Sequence, residues 1–215
     1  MKTTTFALLL LNVLATFQSR DDVTAFGRRI DVGVIKNAAT IAMMYFILFF
    51  AGSSIEQVAY EGDHLSEYGD VVVVSLNHRL NILGYLDLSA YGEKYYNSAN
   101  VGNADMVAAL HWIQDNIAGF GGDPGNVTLF GQSGGGMKVY SLMNTPAAEG
   151  LFHKGIIQSG VIEEGKKEAE DDGTAIVEAL LTELKLESVE DLETIPYYFL
   201  AEAYNKVSPK LQEIS

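Results

Sequence analysis

The strongest hydrophobic patterning lies between residues 70 and 160. Asp70–Leu76 holds an unbroken β-branched run, the pattern of a strand buried on both faces of a parallel sheet. Asn77–Asn103 is rich in Asn, Gly and Tyr and reads as loop. From Asp105 the period changes: Met106, Ala109, Leu110, Ile113 and Ile117 recur at helical spacing on one face. Gly119 and Gly121-Gly122 end that helix, and Asp123-Pro124-Gly125-Asn126 makes a turn. Val127–Phe130 reads as a second strand, Met137–Asn144 as the start of a second helix and Gly155–Ser159 as a third strand. Strands and helices alternating in this order form βαβ crossovers and predict an α/β fold.

After Gly160 the texture shifts. Glu163–Asp172 is a dense mixed-charge stretch, expected to be solvated. Thr174–Leu186 predicts an amphipathic helix with Val177, Leu180, Leu181 and Leu184 on its apolar side. Ser188–Asp191 has the spacing of a capping box at the start of a shorter helix. Phe199–Val207 predicts a third helix, with Pro209 as its stop.

Two apolar runs precede residue 60. Lys2 and the uncharged stretch Phe6–Phe17 have the layout of a secretory signal over residues 1–19, without a clear small-residue cleavage site before Arg20. The alternative is a buried or irregular N-terminal segment. Nothing from Asn37 to Ile55 is charged, a length just sufficient to span a bilayer, and Arg28, Arg29 and Lys36 precede it. Ile41–Phe50 equally suits a buried parallel strand. The strand is the preferred reading, because sheet-like sequence follows it.

The chain has 215 residues, 48% apolar and 20% charged, enough for a large core and unlike a disordered chain. Its net charge of −14 argues against nucleic acid or an anionic membrane surface as partner. The absence of cysteine excludes disulfides, thiolate metal sites and cysteine nucleophiles. No metal-ligand cluster and no phosphate-binding glycine loop is evident, so no cofactor and no metal are expected.

The candidate chemistry centres on Gly131-Gln132-Ser133-Gly134-Gly135. A Gly-x-Ser-x-Gly run between a strand and a helix is the nucleophile elbow of an α/β-hydrolase. The turn is tight enough that side chains flanking the serine would clash, and the serine backbone is strained. Such a turn lifts the Ser133 hydroxyl clear of the sheet. It also aims the Gly134 N–H at the position of a developing oxyanion.

The surrounding motifs resemble the type-B carboxylesterase/lipase family. They are Tyr60–Leu65, Val71–Asn81, Leu83–Tyr85, Asn100–Asp105, Ala108–Ile117, Phe120–Pro124, Gly131–Gly135 and Gly150–Gly160. The resemblance covers about residue 50 to the end. It implies a partial α/β-hydrolase fold, a mostly parallel sheet flanked by helices, that cleaves small-molecule carboxylic esters through an acyl-enzyme. By the same resemblance Ser133 is the nucleophile, Gly134 an oxyanion donor and Ser159 a serine near the active site. The chain divides on this reading into an atypical apolar segment, 1–48, and a partial hydrolase domain, 49–215.

Two departures from the family pattern stand out. Where the family has His-Gly-Gly-Gly-Phe, whose glycine N–H groups build most of the oxyanion hole, Tyr45–Phe49 stands instead, with only Phe49 in agreement. Bulky residues do not reproduce that glycine backbone, and one lost oxyanion donor costs about 10²–10³ in rate. The family's triad order is Ser, acid, His. After Ser133 the only histidine is His153, which matches a structural histidine of the family, whose acid and base positions lie beyond residue 215. His64, His78 and His111 precede the nucleophile and read as loop or surface residues. Without a base a serine hydroxyl is a weak nucleophile. The expectation is an esterase by descent, impaired as a fragment or disrupted frame. The alternative is a non-catalytic binding member of the same fold. A membrane-anchored form using residues 37–55 is not favoured. Ester identity, oligomeric state and compartment, secreted or cytoplasmic, stay open.

Overall fold

The computed structural model describes residues 62–160 and 173–212, with the backbone of three two-residue strands nearer the N-terminus. The signal-like segment 1–19, the runs at Ile41–Phe50 and Tyr45–Phe49, and the charged stretch Glu163–Asp172 lie outside the described residues. The chain forms two compact units, residues 1–34 and 35–215. In the first, β1 (Thr24–Ala25) pairs antiparallel with β2 (Arg28–Arg29).

In the second unit β3 (Ala39–Thr40) runs parallel to β4 (Val71–Val72), with Ala39 opposite Val71. Helix α1 (Asp63–Gly69) leads into β4. Its end is marked by Asp70 in the left-handed region, φ 50°. The β4 ladder is shorter than the β-branched run predicts, because a ladder extends only where a partner strand meets its N–H and C=O groups. Among the described residues that partner is β3 alone.

The segment 77–103, expected as loop, holds real structure: helix α2 (Asn81–Tyr85), then 3₁₀ turns at Ser89–Tyr91, Glu93–Tyr95 and Ser98–Asn100. Helix α3 (Val101–Asn116) begins four residues before the predicted Asp105. Gly102 is a poor helix former, but tertiary packing recruits it. A Cβ there would sit 2.6 Å from the Tyr85 ring and 2.7 Å from the Arg79 carbonyl oxygen. Only glycine lets the helix's first turn lie this close to α2. A 3₁₀ turn over Ile117–Phe120 closes the helix, with Gly121 at φ 85°.

Strand β5 (Thr128–Gln132), helix α4 (Gly134–Met143) and strand β6 (Lys154–Gln158) form a βαβ unit. The strands are parallel, with Thr128 opposite Lys154 and Gln132 opposite Gln158. The first core gathers where this unit meets α3: Met106, Leu110 and Ile113 pack with Val127, Leu129, Val139 and Leu142. The predicted apolar face of α3 is therefore the one buried. Gln114 ties the layer together at its rim, donating from Nε2 to the Pro124 and Leu151 carbonyls at 2.9 Å each.

The second core belongs to α5 (Thr174–Leu184), α6 (Val189–Leu192) and α7 (Tyr197–Gln212). Val177 and Leu180 of α5 pack with Val189, Leu192, Leu200, Ala203 and Val207, and with Ile82 and Tyr95 from the earlier segment. Helix α5 stops at Leu184 rather than Leu186. Lys185 turns left-handed at φ 55°, and the Leu186 N–H returns to the Leu181 carbonyl at 2.9 Å, a helix-ending motif. The predicted capping box is present, with Ser188 and Asp191 bonding reciprocally. Helix α7 starts two residues earlier than predicted, and it continues through Pro209 to Gln212. Proline within a helix removes one rung of the ladder and crowds the carbonyl four residues back, yet the helix runs on past it to Gln212. None of the helices among the described residues is long and apolar enough to cross a membrane.

Candidate active site

Ser133 stands between the last residue of β5 and the first of α4. Its backbone is at φ 54° and ψ −120°, a region that costs an L-residue about 1–3 kcal/mol and persists only where the surroundings over-determine it. Three contacts supply that determination. The Ser133 N–H donates to the Gln158 carbonyl at 2.7 Å, fastening the turn to β6. The Met137 N–H donates to the Ser133 carbonyl at 3.1 Å, the first rung of α4. Gly131 lies against Gly135 so closely that a Cβ on Gly131 would be 2.4 Å from the Gly135 carbonyl carbon. Gly131 is thus needed for backbone to pass backbone at this turn.

Because Met137 makes the first rung, the N–H groups of Gly134, Gly135 and Gly136 precede the helix ladder. They form a positive helix end directly after the serine, where negative charge is stabilised. Ser133 and Gly134 are both partly exposed. Ser159 is exposed one residue after the Gln158 carbonyl that holds Ser133, itself at φ 53°.

The four histidines are spread over the fold. His153 accepts the Val127 N–H on Nδ1 at 3.1 Å, and its backbone N–H donates to the Val127 carbonyl at 2.8 Å. It braces the start of β5 at the end remote from Ser133. His64 on α1 and His111 on α3 are exposed. His78 lies in the loop after β4, within the loop-or-surface reading, and is half-buried there. Burial, followed by the positive charge of Lys138, lowers its pKa to about 4. No histidine is hydrogen-bonded to Ser133 among the described residues.

Two features of this region were given no role by the sequence reading. Lys138, five residues into the helix after Ser133, is only 5% exposed on the core side of α4, and burial lowers its pKa to about 8. Asp105 clamps Arg79 through both carboxylate oxygens: Arg79 Nε donates to Oδ2 at 2.8 Å and a terminal guanidinium nitrogen to Oδ1 at 2.6 Å. The Arg79 backbone N–H also donates to Oδ2, at 2.9 Å. This two-pronged pair fixes the loop after β4 against α3. Its signal in the sequence was the Asn-His-Arg-Leu and Asn-Ala-Asp motifs, but nothing in either names the other as its partner. No group of three or more metal-ligating side chains occurs among the described residues.

A strained serine at a strand-to-helix junction, on a parallel sheet flanked by helices, defines an α/β-hydrolase. The carboxylesterase family profile matches residues 21–202, and the chain belongs to that family. It is 42% identical over 164 residues to para-nitrobenzyl esterase of Bacillus subtilis (strain 168), covering 73% of this chain and 33% of that protein. It is 50% identical over 103 residues to liver carboxylesterase 1F of Rattus norvegicus, covering 48% of this chain and 18% of that protein. Among solved structures it superposes on an esterase of anaerobic Clostridium hathewayi, one that can hydrolyze aliphatic aromatic polyesters. The TM-score is 0.75 at 56% identity, covering 84% of this chain and 37% of that one. The chain thus spans about a third or less of the length of these curated relatives.

Proposed function

We propose that this chain carries the nucleophile of a carboxylic ester hydrolase acting on small-molecule esters. The observation that carries the reading is the Ser133 backbone, held at φ 54° where β5 meets α4. Strain of this kind has a use if the hydroxyl must project from a rigid turn toward a substrate carbonyl. Ser133 Oγ adds to that carbonyl carbon and gives its proton to a base. The carbonyl oxygen becomes an oxyanion beside the Gly134 N–H. Collapse expels the alcohol and leaves an acyl-serine, which water then hydrolyses. The base would be a group other than His153, whose Nδ1 is occupied by the Val127 N–H.

Hydrolysis of a short-chain p-nitrophenyl ester by the 215-residue chain, beside Ser133→Ala, is the direct test. Labelling with a fluorophosphonate, located by peptide mass, accompanies it. Activity and label that both vanish in the variant establish the nucleophile. A competing reading is a binding member of the fold that no longer turns over. It draws on the lack of a histidine bonded to Ser133 among the described residues. That reading requires equal background hydrolysis and no label in either protein.

A further inference from the structure

Strand β6 offers a glycine to helix α4 at each end, and the two meetings differ. At the start, a Cβ on Gly155 would lie 3.1 Å from Val139 Cγ1 and 3.2 Å from Met143 Sδ, both side-chain atoms. Beyond the other end, a Cβ on Gly160 would lie 2.6 Å from the Gly136 Cα, 2.7 Å from its carbonyl carbon and 2.7 Å from the Met137 nitrogen. All three are backbone atoms of the first turn after Ser133. From the opposite side, a Cβ on Gly136 would lie 3.0 Å from the Gly160 Cα, 3.0 Å from Ile157 Cγ2 and 3.2 Å from the Gly131 oxygen.

Gly160 is brought there by a second left-handed residue, Ser159 at φ 53°, directly after the Gln158 carbonyl that accepts the Ser133 N–H at 2.7 Å. One short turn therefore holds the nucleophile's backbone twice. The Gln158 carbonyl pulls on Ser133, and Gly160 blocks the helix turn that begins one residue later. Displacing α4 away from β6 would lengthen the first contact and open the second together.

We infer that Gly160, seated against Gly136, is a positioning residue for Ser133: the turn after β6 sets the depth of the first turn of α4, and with it the direction of the Ser133 hydroxyl and the Gly134 N–H. The functional half of this inference rests on Ser133 being the nucleophile; the geometric half does not. It predicts an order of effects along one helix–strand interface. Gly160→Ala pushes on backbone and moves Ser133 most. Gly136→Ala, with looser distances, moves it less. Gly155→Ala, at the far end and against side chains rather than backbone, leaves it in place.

Two readouts on the full chain test this order. Hydrogen exchange at the Ser133 amide reports its bond to Gln158, and exchange across α5–α7 in the same sample reports whether the fold survives. The rate of fluorophosphonate labelling reports the hydroxyl. Gly160→Ala is expected to speed Ser133 exchange and slow labelling by about 10²-fold, the penalty of a displacement near 1 Å. Gly155→Ala should change both by no more than roughly twofold. If Gly160→Ala unfolds the chain, Gly136→Ala carries the test with an intermediate effect. Equal exchange in all three variants, or a Gly155 effect as large as that of Gly160, overturns the inference. An unlabelled native chain removes the nucleophile reading, and the exchange order then decides the positioning on its own.

Discussion

The βαβ unit around Ser133 and the three-helix cluster at α5–α7 are held by different means. In the first, backbone passes backbone: Gly131 on Gly135, Gly136 on Gly160, with Ser133 and Ser159 both left-handed. In the second, side chains do the work. Val177, Leu180, Leu192 and Leu200 interlock, and side chains add polar ties, as where Lys94 and Tyr95 both reach Glu193 Oε1, at 2.5 and 2.6 Å. A backbone contact admits no smaller or larger version of itself. A side-chain core can shrink and resettle. The two regions should therefore fail differently under mutation.

The largest difference is expected from a single added methyl. Gly131→Ala places a Cβ 2.4 Å from the Gly135 carbonyl carbon, so either the turn opens or the strand shifts. The expected loss is about 4 kcal/mol, among the largest seen for point changes. Thermal or urea unfolding measures it. The strain falls on the turn itself, so fluorophosphonate labelling should be lost even in whatever fraction stays folded.

Removing atoms from the other region provides the contrast. Leu180→Ala empties a fully buried site in the helix cluster and should cost about 3 kcal/mol. Hydrogen exchange should accelerate across α5 and α7 while the Ser133 amide keeps its native rate. If the Ser133 amide accelerates equally, the two regions unfold as one cooperative body and the contrast is wrong.

How legible each region was in the sequence follows the same division. Helical periodicity picked out the buried face of α3, with Met106, Leu110 and Ile113, and that of α5, with Val177 and Leu180. The Ser188 box also formed as read, because capping is written within four adjacent residues. The turn at Ser133 was legible for a different reason: its glycine spacing is itself the steric requirement. What escaped was set by distant partners. The first turn of α3 forms because Gly102 fits against Tyr85, and the loop after β4 is fixed because Asp105 faces Arg79, 26 residues away. Neither helix propensity nor local pattern carries that information, and Gly102 argues locally against it. Helix α7 likewise passes Pro209 although proline argues for a stop.

Acid should separate the regions by a smaller margin. His78 lies beside the first core, and its folded pKa, about 4, is below its ordinary 6.5. The unfolded chain therefore binds the proton first as pH falls. The stability from keeping His78 neutral is complete above 6.5 and is lost as pH drops toward 4. With the group only half-buried, roughly 2 kcal/mol is the expected size. In the helix cluster Glu193 is held below its ordinary value, first by the hydrogen bond from Lys94 and then by that from Tyr95. Its contribution persists until pH falls below about 4.5. Stability followed from pH 7 to 5 should fall in the native chain and stay flatter in His78→Gln. Equal slopes would remove His78 from the account.

The smallest test touches only the second region. The Ser188 side chain and backbone N–H both engage Asp191, closing the first turn of α6. Ser188→Ala deletes the cap without opening a cavity, and about 1 kcal/mol should be lost. Asp191→Asn keeps an acceptor for the Ser188 N–H but removes the charge near the helix start, so its loss should be smaller. Neither change reaches Ser133 by backbone contact, and labelling rates should stay native in both. A cap deletion that slowed labelling would mean that the helix cluster, through Val189 and Leu192 against Ile82, helps set the loop after β4. The line between backbone-built and side-chain-built regions would then run through α2 rather than before α5.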